Sequence, residues 1–234
     1  MTDTNQENIL EVEDVKKTYR QGAIDVPALR GLDLTVAKGE FTALSGPSGS
    51  GKTTALNLIG ALDKPTSGEI RLEGHDLVKL GRSKLSRIRR DRIGFVFQAY
   101  NLVPVLTAFE NAEIVLALQG MSAKERKHRV MGLLKDVGLE GMEHRRPDQL
   151  SGGQQQRVAI ARAIAANPAV VLADEPTANV DSETAEKIIA IMEKLNQERR
   201  ATFIFSTHDP RVMERARRLV RLVDGRIESD DKRG

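Results

Sequence analysis

The sequence predicts an α/β domain with a helical insertion, and three observations carry that fold class. An apolar run, FTALSG, leads straight into the glycine-rich stretch GPSGSGKTT and then into TTALNLIGAL, which has helical character. Strand, glycine loop and helix make one half of a parallel α/β unit. The last third alternates strand-like and helix-like segments again, while the middle reads as helices. The chain has 234 residues, with neither an internal repeat nor a Pro- or Gly-rich linker. That length suits one generous domain, so the helical middle is best read as inserted into it.

Taken in order, the first third reads as short strands. Leu32, Leu34 and Val36 alternate with polar partners, and AKGE supplies a turn into FTALSG, whose unbroken apolar centre suits a strand buried on both faces. KPTSGEIRLEG reads as a turn and a short strand. The basic segment GRSKLSRIRRDR carries Leu85 and Ile88 at helix-compatible spacing, so it reads as a solvated helical face, with a lipid or nucleic-acid patch as the sharper alternative. In the middle, Ser122 to Glu125 form a capping-box pattern ahead of Val130, Leu133, Leu134 and Val137, and Gly138 can close that helix. Met131 reads as a core or flank residue. VVLA, residues 170–173, reads as a buried strand, and Ser182 as the cap of a helix bearing Ile188, Ile189, Met192 and Leu195. TFIFST is the next strand, and RLVRLVDGRI holds a hairpin turn at Asp224-Gly225.

Composition narrows the function classes. Hydrophobic residues are 40% and charged residues 29%, the balance of an ordinary globular protein. Aromatics are only 3%, with no tryptophan, which argues against stacking platforms for single-stranded nucleic acid. A net charge of +3 fits an anionic ligand or a membrane-facing surface without requiring either. The absence of cysteine excludes disulfides, thiolate metal sites and cysteine nucleophiles. The start, MTDTNQENIL, lacks the basic and apolar regions of a secretion signal. No run approaches the roughly eighteen apolar residues of a membrane-spanning helix, so no crossing is expected.

Two stretches are built to hold anions. Residues 46–53 match G-x-x-x-x-G-K-[ST] in full and fall between a predicted strand and a predicted helix, the context that motif needs. Glycines let the backbone bend around phosphates; Lys52 places a positive charge near the outer phosphates, and the Thr53 hydroxyl suits magnesium. The second stretch is LSGGQ, residues 150–154. Ser151 caps a helix, and Gly152 and Gly153 give up roughly 1 kcal/mol each of helix propensity, so something must approach that backbone closely.

Carboxylates complete the picture. The strand VVLADE ends in Asp174 and Glu175, at the sheet edge where ligands of parallel sheets sit. Asp174 suits a magnesium shell, and Glu175 a water-polarising role toward a γ-phosphate. Solvent-facing strand ends are the bland alternative, disfavoured beside the glycine loop. His208, after TFIFST, is either a satisfied polar strand-end residue or a group reaching the same phosphate. Gln98, after IGFVF, is equally open: a strand-end amide, or a contact to magnesium or water.

LSGGQ, the glycine loop, VVLADE, Gln98 and His208 together resemble the nucleotide-binding subunits of ATP-binding cassette (ABC) transporters. The resemblance covers essentially the whole chain, and the pentapeptide is its most specific mark. It implies a RecA-like phosphate-loop NTPase core with an N-terminal antiparallel β subdomain over residues 1–97 and 165–234, and an inserted α-helical signature subdomain over 98–164. It further implies ATP and magnesium, with Gly46, Ser48, Gly49, Ser50, Gly51, Lys52, Thr53 and Thr54 on the phosphates. Thr53, Gln98 and Asp174 would stand at the metal, Glu175 would be the base, and His208 the γ-phosphate switch. Tyr19 matches the aromatic that stacks on adenine. Asp181, in ANVD, matches the aspartate that communicates between two sites, although leucine is commoner where Val180 stands.

The family implies a head-to-tail dimer in which each ATP lies between the 46–54 loop of one copy and Ser151, Gly152, Gly153 and Gln154 of another. The two anion grips would thus hold opposite sides of one nucleotide. A separate transmembrane permease subunit is the other implied partner, with no nucleic acid. The chain would sit peripherally at the cytoplasmic face of the inner membrane, touching the membrane only through the permease. FVFQAYNLVPVLTAFENAE and LSGGQQQRVAIARA are similar to the lipoprotein-releasing and macrolide-exporting branch. A soluble, non-transport ABC ATPase is the alternative, but repair members need long coiled-coil insertions and translation members usually carry two cassettes. A phosphate-loop GTPase would need an N-K-x-D guanine reader, which the sequence lacks.

Overall fold

The structure, a computed structural model, describes residues 7–233. Most of the polar start read above falls on residues 1–6, outside the described residues. Strands β1 (Asn8–Gln21) and β2 (Ile24–Ala37) form an antiparallel hairpin, pairing Val12 with Leu34 and Val15 with Leu32. At 14 residues each they are long, not short as the sequence suggests. Bulges between Val12 and Val15 and between Lys17 and Thr18 interrupt the pairing and break the apolar alternation on which a strand reading depends.

The chain then enters β3 (Phe41–Ser45), buried throughout, and passes through the glycine loop into α1 (Lys52–Ile59). β4 (Ser67–Leu72) returns to the free edge of β1, and β5 (His75–Asp76) pairs with β4. The basic segment is α2 (Arg82–Arg92), with Leu85 buried. Three of its arginines are engaged: Arg89 donates to the Ala61 carbonyl, Arg90 pairs with Asp91, and Arg92 with Glu73.

β6 (Ile93–Val96) leads to the helical middle, α3 (Ala108–Leu118), α4 (Ala123–Asp136) and α5 (Gly152–Ala165). Capping boxes begin all three, at Thr107, Ser122 and Ser151. Gly138, at φ +70°, follows the end of α4. β7 (Val170–Asp174), α6 (Ser182–Arg199), β8 (Phe203–Ser206), α7 (Pro210–Arg215) and the β9 (Arg218–Val223)–β10 (Arg226–Lys232) hairpin complete the chain. Asp181, not Ser182, caps α6. Asp181 has extended backbone angles, and its carboxylate accepts the Thr184 N–H at 2.9 Å, leaving Ser182 as the first helical residue.

Two sheets result. The antiparallel one has the order β2-β1-β4-β5, and the larger one β10-β9-β3-β8-β7-β6, parallel except for β10. Alternation along the central strands sorts their side chains between two cores. Ala43, Val171, Ala173, Phe203 and Phe205 join one cluster with Leu116, Leu133, Val158 and Ile188 of the helices. Leu44, Leu172 and Ile204 face the other way, meeting Leu56 and Ile59 of α1 and, through them, Leu10, Val12 and Ile70 of the antiparallel sheet. The helical middle therefore shares its core with the parallel sheet.

Phe203 is fully buried, with ring centroids 5.6 Å from both Phe41 and Phe205. Phe203→Ala is expected to cost about 3–5 kcal/mol, because a close-packed sheet face does not collapse into the void. Urea unfolding of both proteins measures the loss, and a cost below about 1 kcal/mol would show that the layer repacks.

Candidate active site

The site assembles where β3, β7 and β8 end. Leu44 of β3 and Asp174 of β7 both lie opposite Ser206 of β8, so the three strands stop level. Beyond Ser45, Gly46 takes φ +148°, and a Cβ there would stand 2.1 Å from the Leu222 carbonyl oxygen. Only glycine lets the chain leave the sheet at this point. The loop closes on Gly51, the left-handed N-cap of α1, which has no side-chain cap and no acidic residue in its first turn. Its unpaired N–H groups therefore remain available to an anion. Lys52 is 8% exposed and folds back over the loop, donating to the carbonyls of Gly46 at 2.8 Å and Pro47 at 3.0 Å.

Carboxylates arrive from β7. Asp174 accepts from the Thr53 hydroxyl at 3.2 Å, setting two hard oxygen ligands side by side. Glu175 donates its N–H to the Ser206 carbonyl at 2.8 Å and then turns the chain at φ +45°, a backbone conformation uncommon outside glycine. One Glu175 oxygen lies 2.7 Å from His208 Nδ1; the other is approached by the Thr207 hydroxyl at 3.4 Å. The Glu175 side chain is 16% exposed, that of His208 75%. A cleft of about 550 Å³ opens between loop and strand ends, walled by Lys52, Thr53, Gln98, Glu175 and His208.

Gln98 is exposed, yet its backbone carbonyl is held by Asn179, which is itself held by Tyr100. The Asn179 amide donates to the Gln98 carbonyl at 3.0 Å, and the Tyr100 hydroxyl donates to the Asn179 carbonyl at 3.1 Å. Arg162 of α5 donates to the carbonyls of Tyr100 at 2.9 Å and Asn101 at 2.6 Å, both in left-handed conformations. Sequence reasoning missed Tyr100, Arg162 and Asn179, because their roles rest on contacts between segments more than sixty residues apart.

Tyr19 lies within β1. Its hydroxyl donates to Asp63 at 3.0 Å, and the Lys17 ammonium sits 4.8 Å from its ring centroid. Burial pushes the phenol above its ordinary pKa, and the adjacent Asp63 carboxylate adds to the effect. Asp181 is held below the usual carboxylate range by the Thr184 hydroxyl and N–H.

The LSGGQ residues stand apart. Among the described residues lining the cleft there is no Ser151, Gly152, Gly153 or Gln154. Ser151 is exposed, accepts the Gln154 N–H at 3.3 Å, and donates its own N–H to the Gln154 side chain at 2.8 Å. The close approach inferred at the glycine pair has an occupant within the same chain: a Cβ on Gly153 would lie 2.2 Å from Thr184 Cγ2, and one on Gly152 2.7 Å from the Tyr100 hydroxyl.

For a metal, the donors present are the Thr53 hydroxyl, the Asp174 carboxylate and the exposed Gln98 amide. Among the described residues there is no cluster of three or more His, Cys, Asp or Glu. Few, hard, oxygen-only ligands fit magnesium carried in with phosphates and water, rather than a dedicated protein cage.

Comparison with known proteins follows the same line. A family profile described as ABC transporter matches residues 29–178. The chain is 50% identical over 222 residues to the lipoprotein-releasing system ATP-binding protein LolD of Anaeromyxobacter dehalogenans, covering 94% of this chain and 93% of that one. It is 48% identical over 225 residues to the macrolide export ATP-binding/permease protein MacB of Syntrophobacter fumaroxidans, covering 95% of this chain but only 32% of that relative's length. Among solved structures, the ATP-binding cassette MJ0796 of Methanocaldococcus jannaschii, in a dimeric post-hydrolysis state bound to ADP and Pi, superposes with a TM-score of 0.89. The two chains are 47% identical, with 96% of this chain and 99% of that one covered.

Proposed function

The chain belongs to the ABC transporter family, and from that premise we propose that it is an ATPase subunit whose two copies clamp ATP between them to drive a separate transmembrane subunit. The observation carrying this reading is a cleft with one wall missing. The loop, Glu175, Gln98 and His208 wall one cleft, with Asp174 bonded to Thr53 of the loop, whereas Ser151 to Gln154, of which Ser151 is exposed, start a helix away from that cleft. A second copy turned head to tail supplies the missing wall. The dimeric state of the ADP-bound relative supports that arrangement.

In the proposed mechanism, the loop amides and the first turn of α1 cradle the phosphates, and Lys52 exchanges its two loop carbonyls for phosphate oxygens. Thr53, Asp174 and Gln98 would hold magnesium, which would supply charge neutralisation for the phosphates. Glu175 accepts a proton from the attacking water as the water oxygen bonds to the γ-phosphorus and the bridging P–O bond to ADP breaks. His208 fixes the Glu175 carboxylate by the 2.7 Å contact and stands exposed beside the γ-phosphate position. Tyr19 stacks on adenine, and Asp181 faces the second copy. Subdomain boundaries are assigned at residues 98–164 for the helical part and 1–97 with 165–234 for the rest.

Docking to a membrane partner rests on surface chemistry. Among the described residues no helix is long and apolar enough to cross a membrane. The helical middle exposes Val105 (71%) and Leu118 (64%), and a groove of about 240 Å³ beside it is walled by Arg89, Phe95, Phe97 and Val115. Exposed apolar side chains on the helical middle, and a groove shared with arginines of a basic helix, fit a permease segment at a cytoplasmic membrane face. The ATP-binding/permease and lipoprotein-releasing names of the relatives support that class of partner.

Mixing two inactive variants tests the shared site. Lys52→Ala leaves an intact Ser151, and Ser151→Arg leaves an intact loop, so a mixed dimer holds one complete site. Equal mixtures are expected to recover up to roughly a quarter of wild-type ATPase activity, since random pairing makes about half of the dimers mixed and each mixed dimer holds one complete site of two. Activity no higher than either parent would contradict the shared clamp.

A further inference from the structure

We propose that Gln156 is a positioning residue for Glu175, through which α5 serves two nucleotides at once. The N-terminal turn of α5 meets the ATP held by a second copy, while its buried flank aligns the catalytic turn of its own chain. The inference rests on the reading of Glu175 as base.

Gln156 is fully buried on a helix otherwise packed through Val158, Ala159, Ile160 and Ala163. Its Nε2 donates to the Pro176 carbonyl at 2.7 Å, and among the described residues its Oε1 has no partner. A leucine or methionine would fill the same space without the cost of burying half an amide unpaired. The amide therefore serves its one hydrogen bond. That bond reaches the residue directly after Glu175, where the φ +45° turn has carried the chain out of the β7 ladder and left the Pro176 carbonyl buried without a strand partner.

The same helix meets this segment at two further points. Gly152 lies beneath the Tyr100 hydroxyl, which is bonded to the Asn179 carbonyl, and Gly153 is seated against Thr184. The first turns of α5 thus bear on Pro176, on Thr184 and, through Tyr100, on Asn179. From Ser151 to Gln156 is five residues, about 7.5 Å along the axis, short enough to move as one rigid piece. A tilt of α5 when Ser151 closes on the nucleotide of the second copy shifts the Pro176 carbonyl, and Glu175 with it. Each chain then readies its own base in response to ATP bound opposite its LSGGQ residues.

Gln156→Met tests this, with Glu175→Gln measured beside it in the full chain with ATP and magnesium. Misplacing the base lowers kcat by about 10–100-fold, while the ATP affinity stays within about twofold and cooperativity in ATP is lost. A fall in kcat accompanied by equal losses in ATP affinity and unfolding midpoint would mean packing alone, and would overturn the proposal. Near-normal turnover in Gln156→Met with an inactive Glu175→Gln overturns the role of Gln156 and leaves the base in place. Near-normal turnover in Glu175→Gln overturns the base itself. The unsubstituted chain offers a check free of folding effects: the Gln156 side-chain amide protons, followed by NMR, are expected to resist exchange and to shift when a non-hydrolysable ATP analogue is added. Resonances that stay put overturn the lever.

Discussion

Glu175→Gln is expected to slow ATP hydrolysis by about 10²–10⁴-fold while ATP binding survives. The amide keeps the size of the carboxylate, so the left-handed turn and the Ser206 backbone bond persist. What disappears is a proton acceptor 2.7 Å from His208 at the wall of the phosphate cleft. In the proposed cycle the clamp forms before hydrolysis and hydrolysis resets it, so the variant is expected to accumulate as an ATP-bound dimer. Phosphate release measures the first effect, and light scattering with and without ATP the second. A variant that turns over at the wild-type rate would remove Glu175 from the role of base.

Lys52→Ala is expected to weaken ATP binding by about 1.5–3 kcal/mol, roughly ten- to a hundredfold, the worth of charge-assisted hydrogen bonds to phosphate. In the structure Lys52 spends its donors on the Gly46 and Pro47 carbonyls. Those carbonyls stand at the rim of an open cleft, where water takes over when the ammonium is gone, so the fold should tolerate the change. Titration with a fluorescent ATP analogue measures the affinity, and a thermal scan separates binding from folding. Unchanged nucleotide affinity in a folded variant would contradict the assignment.

Much of this was legible along the chain because its signals are local. The order β3, glycine loop, α1 follows from an apolar run meeting a glycine cluster, and the caps at Ser122 and Ser151 follow from a side chain reaching three residues ahead. Asp174 and Glu175 announce themselves by following a buried strand, and Asp224-Gly225 by the dipeptide a tight hairpin needs. Where two adjacent residues compete for one local job, the reading slipped: Ser182 and Asp181 are both good caps, and only backbone geometry chooses Asp181. The length of the β1–β2 hairpin is hidden for a different reason: bulges erase the alternation that marks a strand.

The sequence by itself determined the phosphate loop, the carboxylate pair, the capped helices and the α/β alternation, because each depends on residues within a few positions of one another. Only the tertiary structure decided that Gln98, Glu175 and His208 line the same cleft, that LSGGQ lies outside it, and that Gln156 reaches Pro176. Those facts depend on parallel register and helix packing, which join residues twenty to more than a hundred positions apart through contacts that no local pattern encodes.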